Sequence, residues 1–151
     1  MTRRIQPLLD AAAAGRATTK PGAIREVGDL LVTAGAVRPD YVDSMFEREA
    51  SVSTYMGNFL AIPHGTNEAK GSIVRSALSL VRYAEPIEWD GQQVRFVVGI
   101  AGLDSDHLEI LQQIATVFSD MHQVQRMIDA DTAAEIVRIL KGESSESRIG
   151  L

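Results

Sequence analysis

Ser53-Thr54-Tyr55-Met56-Gly57-Asn58-Phe59-Leu60-Ala61-Ile62-Pro63-His64-Gly65-Thr66 is the stretch on which the fold turns. It opens as a polar, turn-rich lead-in containing Gly57-Asn58. It then runs through the apolar residues Phe59 to Ile62 and stops at Pro63-His64-Gly65. A short apolar run ended by Pro and Gly reads as a buried strand cut off at a sharp corner. The residue at that corner, His64, carries a titratable, nucleophilic ring. A ring held at a rigid strand end suits chemistry better than packing.

The chain around this corner has 151 residues, enough for one domain with a real core. Charged residues make up 23% of it and the formal net charge is −5, so a broad nucleic-acid footprint, which needs a basic face, is not expected. Cysteine is absent, which excludes disulfides, thiolate metal sites and a catalytic thiol on this chain. The N-terminus shows Arg3-Arg4 without a sustained apolar run behind it. With no secretory signal and no membrane span in the sequence, a cytoplasmic location is expected.

Upstream, residues 1–19 read as a leader or a first strand, and Ala11–Ala14 fits either a helical turn or a loose segment. Thr19-Lys20-Pro21 opens a helix that Ala23, Val27, Leu30, Leu31 and Ala34 continue and Gly35 closes. Pro39-Asp40 opens a second, with Tyr41, Val42, Met45 and Phe46 as its apolar face. Arg48 shares a face with Tyr41 and Met45, and periodicity alone reads it as a solvated cation on the helix dipole.

Downstream, residues 66–71 suit a short helix or turn. Residues 77–83 read as a strand ended by Glu85-Pro86, and Trp89-Asp90-Gly91 as a hairpin-like turn. Residues 94–100 form the strongest strand, with Val94, Phe96, Val98 and Ile100 assigned to one face. A helix follows from His107 to Ser119, with Leu108, Leu111, Ile114, Ala115 and Phe118 inward. Gln123–Asp129 is a shorter helix. Thr132 and Glu135 stand at capping-box spacing before a last one that ends near Lys141. The expected fold class is α/β: a mixed sheet of about five strands sandwiched by helices.

Three histidines are available. His122 lies in a polar segment and is read as a surface residue. His64 and His107 both follow apolar strands, in connections where sites are usually displayed. A metal site lacks a third ligand at recognisable spacing. Hydrolysis lacks a Ser-His-Asp signature, although Asp104, Asp106 and Glu109 are near in sequence. No P-loop or kinase glycine loop is present. Phosphoryl transfer through one imidazole is a further option, with a second imidazole, an arginine and a helix N-terminus as suitable donors. Spacing alone does not choose among these.

Glu47-Arg48-Glu49, Ser53–Asn58, Ala61-Ile62-Pro63-His64-Gly65-Thr66, Glu68-Ala69-Lys70, and Val97–Ala101 followed by His107-Leu108 resemble, in order and spacing, the enzyme IIA component of the sugar phosphotransferase system (PTS). The mannitol-specific branch of the mannitol/fructose class is the nearest pattern, over roughly residues 20 to 141. The resemblance implies a type 2 IIA domain at 20–141, after residues 1–19 and before a polar tail at 142–151. It implies that His64 is phosphorylated through Nε2 by the histidine-phosphorylated carrier protein HPr and passes the group to a cysteine of a IIB or IICB partner. His107 would then hydrogen-bond the phosphoryl group and Arg48 stabilise it, overriding the solvated reading of Arg48. Asn58 and Thr66 are carried as binding residues that shape the site.

The resemblance requires no metal and no diffusible cofactor. Two departures stand out: the Ala-rich start lacks a clear first strand, and Asp106 stands where relatives often have Glu. No IIB or IIC region is visible. A free-standing IIA with a shallow apolar docking surface is therefore expected, to which Phe59, Leu103 and Leu108 could contribute. Two other readings are a nitrogen-type regulatory relative and a binding module without transfer.

Overall fold

The computed structural model describes residues 9–141. The tail expected after Lys141 and the first eight residues lie outside the described residues. The sheet has five strands: β1 (Leu9–Ala14), β2 (Tyr55–Gly57), β3 (Leu60–Ala61), β4 (Ala77–Trp89) and β5 (Gln92–Ala101), in the order β1-β4-β5-β3-β2. The outer pair β1/β4 and the inner pair β3/β5 are parallel, while β4/β5 and β2/β3 are antiparallel, so the sheet is mixed. The Ala run that sequence left between helix and leader is thus an edge strand. It has a parallel neighbour in β4, and a strand so poor in β-branched residues gives little sign of itself.

Helices cover both faces. On one face lie α1 (Lys20–Thr33) and α2 (Asp40–Ser51). Ala23, Ile24, Val27, Leu31, Tyr41 and Met45 pack there against Ala77, Val81, Val94, Val97 and Ala101. On the other lie α3 (Asp106–Phe118), α4 (Met121–Asp129) and α5 (Ala133–Lys141). Ile110, Ile114, Val117, Val124, Met127 and Ile139 pack there against Leu60, Leu78, Leu80, Phe96, Val98 and Ile100. The α/β sandwich expected from sequence is the fold observed.

Local signals set the helix ends. Thr19 Oγ1 accepts the Gly22 N–H at 3.2 Å, and the Gly35 and Ala36 amides return to Val32 and Leu31 to close α1. The Thr132 hydroxyl accepts the Glu135 N–H at 3.2 Å at the start of α5. The carbonyls at the end of α4 are met by Arg82, which donates to Met127, Ile128 and Ala130.

The structure corrects several sequence expectations. β4 does not end at Pro86; it runs on to Trp89. β1 pairs with β4 only as far as Arg82, so Pro86, which has no N–H to donate, falls on an unpartnered edge. The same region shifts the β4/β5 register, from Arg82↔Phe96 to Ile87↔Val94. The Phe59 carbonyl accepts both the Arg95 and Phe96 amides at 2.9 Å, the mark of a bulge. The Arg95 guanidinium satisfies the Tyr83 and Ala84 carbonyls beside it. Alternation is broken there, and Val94 packs with the α1/α2 side instead of sharing a face with Phe96. In α3 the buried face is Ile110, Ile114, Val117 and Phe118; Ala115 is exposed and Leu108 is 69% exposed. The expected apolar run 59–62 shortens to the two-residue β3, because Phe59 sits at φ 70°, in the turn.

Candidate functional site

The corner after β3 is stitched to the end of β5. The Ile100 N–H donates to the Pro63 carbonyl at 3.0 Å, and His64 makes a parallel bridge with Ile100. Tyr41, buried in α2, holds the same place from the other side. Its hydroxyl donates to the Ile100 carbonyl at 2.8 Å and accepts the Gly65 N–H at 2.9 Å. Burial raises its phenol to about 12, so it stays a neutral donor. A Cβ at Gly65 would stand 2.5 Å from Tyr41 Cε1 and Ser44 Oγ, so only glycine lets α2 approach this closely.

His64 is half-buried, and its Nδ1–H donates to the Ile62 carbonyl at 2.8 Å. A carbonyl can only accept, so the proton sits on Nδ1 and the ring's lone pair on Nε2. Burial lowers the ring's affinity for a second proton; the Ile62 bond opposes this and the Arg48 cation adds to it, and the net shift is downward.

His107 stands in the first turn of α3, its ring centroid 5.3 Å from that of His64 in an edge-on arrangement. Burial holds it below the ordinary imidazole range, with smaller contributions from His64 and Lys70. Its backbone is placed by a tight passage: a Cβ at Gly102 would lie 2.6 Å from His107 Cα. Ser76 fixes the same turn, accepting the Leu103 N–H at 2.9 Å and donating to Asp106 Oδ2 at 2.7 Å. The aspartate that departs from the resemblance pattern is therefore in use.

Both rings line one cleft of about 280 Å³, together with Arg48, Tyr41, Thr66, Glu68, Lys70 and Gly102. Arg48 belongs to the last turn of α2, where its Nη1 donates to the Val52 carbonyl at 2.7 Å. Of the residues expected at the site, His64, His107, Arg48 and Thr66 therefore share the cleft. Asn58 does not line it: its side chain donates to the Phe118 carbonyl at 2.7 Å, tying the β2–β3 turn to the end of α3. Leu108 lies open to solvent next to His107, while Phe59 packs against the core.

Sequence reasoning missed Tyr41 and Lys70 as cleft residues. Tyr41 was legible only as part of an apolar face, although a phenol there needs a hydrogen-bond partner. Among the described residues, no group of three or more His, Cys, Asp or Glu could hold a metal ion, and no helix is long and apolar enough to cross a membrane. The arrangement offers a neutral imidazole with a free in-plane lone pair, a second imidazole and two cations: a nucleophile in a pocket suited to a multiply charged anion.

Known proteins resemble this chain in sequence and in fold. Residues 12–143 match the family model for the phosphoenolpyruvate-dependent sugar phosphotransferase system, EIIA 2. The mannitol-specific phosphotransferase enzyme IIA component of Halalkalibacterium halodurans is 49% identical over 130 residues, covering 86% of this chain and 89% of that protein. Enzyme IIAMTL of Escherichia coli, in its complex with phosphorylated enzyme IIBMTL, superposes with a TM-score of 0.81 at 29% identity, covering 89% and 99% of the two chains. The crystal structure of IIA mannitol from the same organism gives 0.78 at 30% identity, covering 86% and 94%.

Proposed function

Since the chain belongs to the EIIA 2 family of the phosphoenolpyruvate-dependent sugar phosphotransferase system, and is thereby a phosphotransferase component, we propose that it is a mannitol-type enzyme IIA that carries phosphate on His64. The observation that supports this most directly is the Nδ1–H bond to Ile62, which leaves the Nε2 lone pair on a ring that lines the cleft.

In the first transfer, Nε2 attacks phosphorus on phosphorylated HPr. A P–Nε2 bond forms, the donor's P–N bond breaks, and its electron pair returns to the donor imidazole. In the second, a cysteine thiolate of a IIB or IICB partner attacks the same phosphorus. A P–S bond forms, and the P–Nε2 pair returns to His64. The neutral ring matters for the first step, since an imidazole protonated on both nitrogens has no pair to give; in the second step the proton kept on Nδ1 by Ile62 lets the ring leave as neutral imidazole.

His107 and Arg48 act on the phosphoryl oxygens as fixed donors, and charge stabilisation together with alignment accounts for the catalysis. Thr66 shapes the cleft wall. Partners dock over the open rim, with the exposed Leu108 as an apolar contact. Mannitol phosphotransfer is the favoured pathway, because the relatives at 47–49% identity carry that specificity in their names. The reading places the protein in the cytoplasm with its donor.

The test is incubation with phosphorylated HPr followed by intact-mass measurement. Wild type gains one phosphoryl group and His64→Ala gains none; a wild type that takes none ends the proposal. His107→Ala should still accept phosphate but pass it slowly to IIB. Restoration of mannitol phosphorylation in a IIA-depleted extract separates transport from a regulatory role.

A further inference from the structure

Glu49 follows Arg48 on α2, yet its side chain is only 4% exposed. It sits at the centre of a polar cluster. Oε1 accepts the Thr54 hydroxyl at 2.6 Å, while Oε2 accepts the Thr54 N–H at 3.1 Å, Trp89 Nε1 at 3.0 Å and Lys20 Nζ at 3.2 Å. Burial pushes its carboxyl up, but these donors outweigh that, and the net shift is downward, toward the charged form. Replacing such an ion by packed apolar side chains is often neutral or stabilising, so stability alone is a weak account of it.

The cluster leads to the reactive ring by short links. Thr54 and Ile62 close the base of the β2–β3 hairpin, where the Thr54 carbonyl accepts the Ile62 N–H at 3.1 Å. The Ile62 carbonyl in turn accepts His64 Nδ1–H at 2.8 Å. The hairpin base from which His64 hangs is therefore pinned to α2 by Glu49, one residue from the arginine that lines the same cleft. We infer that Glu49 is a positioning residue that, through Thr54 and Ile62, fixes the orientation and tautomer of His64 relative to Arg48. The inference rests on the phosphocarrier reading for its kinetic consequence, but not for its structural one.

The test compares wild type with Thr54→Val, Thr54→Ser, Glu49→Gln and Lys20→Met. Thr54→Val deletes only the hydroxyl bond to Glu49, Thr54→Ser restores it, and Lys20→Met removes the counter-ion while leaving the Thr54 bonds. Nitrogen-15 NMR of the His64 ring reads the tautomer, and phosphate uptake from HPr gives kcat and KM separately. Thr54→Val and Glu49→Gln should show a mixed His64 tautomer and kcat lowered about 10- to 100-fold, the scale of a misplaced reacting group, with KM for the donor unchanged. Thr54→Ser and Lys20→Met should keep the wild-type tautomer.

Folded Thr54→Val with pure Nδ1–H His64 and wild-type kcat overturns the inference. Should Glu49→Gln fail to fold, the Thr54 pair decides alone. A wild type that takes no phosphate, but whose tautomer shifts in Thr54→Val, defeats the phosphocarrier reading and upholds the positioning role.

Discussion

Tyr41→Phe removes one oxygen and two hydrogen bonds from the corner that holds His64. The change leaves ring packing intact, so its cost is that of the groups left behind. The Ile100 carbonyl belongs to a fully buried residue and loses its phenol donor, while the Gly65 N–H, on a half-buried residue, loses its acceptor. An unsatisfied buried group costs about 1–3 kcal/mol. Water can reach the Gly65 side more easily, so the lower end applies there, and the sum is about 2–4 kcal/mol. For a chain of this length that lowers Tm by about 4–16 °C. On the proposed phosphocarrier role, the functional loss should be larger than stability predicts, because the Gly65 amide held by Tyr41 directly follows His64. At a temperature where both proteins are folded, phosphate uptake by Tyr41→Phe should fall about tenfold or more. Urea denaturation and intact-mass time courses measure the two effects separately. A variant within about 0.5 kcal/mol of wild type, taking phosphate at the wild-type rate, would refute the argument that the phenol holds the corner.

Three further outcomes follow from the site. His64 and His107 both titrate below the ordinary imidazole range when folded, so the unfolded chain binds more protons between those values and about 6.5. Their contribution to stability is complete above about pH 6.5 and is lost as pH falls through the folded values; phosphate uptake should fall over the same window, and NMR titration of both rings checks it. Gly102→Ala drives a Cβ to 2.6 Å from His107 Cα, so about 1–3 kcal/mol of stability should be lost, with a changed His64–His107 contact in NMR spectra. Leu108→Glu, at a side chain 69% exposed, should leave stability within about 0.5 kcal/mol of wild type but raise KM for the partner proteins in transfer assays.

Much of this molecule was legible from local patterns. The Thr19 cap, the Asp90-Gly91 turn with φ values of 53° and 91°, and the helix order all follow from chemistry within a few residues of each feature. Apart from the shortened 59–62 run, which the local turn at Phe59 explains, the main failures were decided by distant neighbours. Val94 changed face because Arg95 bulges to meet Phe59 and the carbonyls of Tyr83 and Ala84. Pro86 stayed in a strand because β1 stops short of it. At the site, His64 and His107 could be named from their positions after strands, but their 5.3 Å approach depends on the β3/β5 pairing, which no local rule gives. Arg48 needed a family pattern, because helical periodicity alone assigns it to solvent. The roles of Tyr41 and Glu49 were hidden because each is defined by acceptors or donors far along the chain.

Ile100 is where these distant segments meet. Its amide goes to Pro63, its carbonyl takes the Tyr41 hydroxyl, and its strand sits beside His64. A nascent chain that has not yet emerged past that residue can possess the histidine without possessing the site. Uptake of phosphate would then double as a certificate of completed folding, and a pulse of phosphorylated HPr during refolding would time the final closure of the sheet by chemistry instead of by spectroscopy.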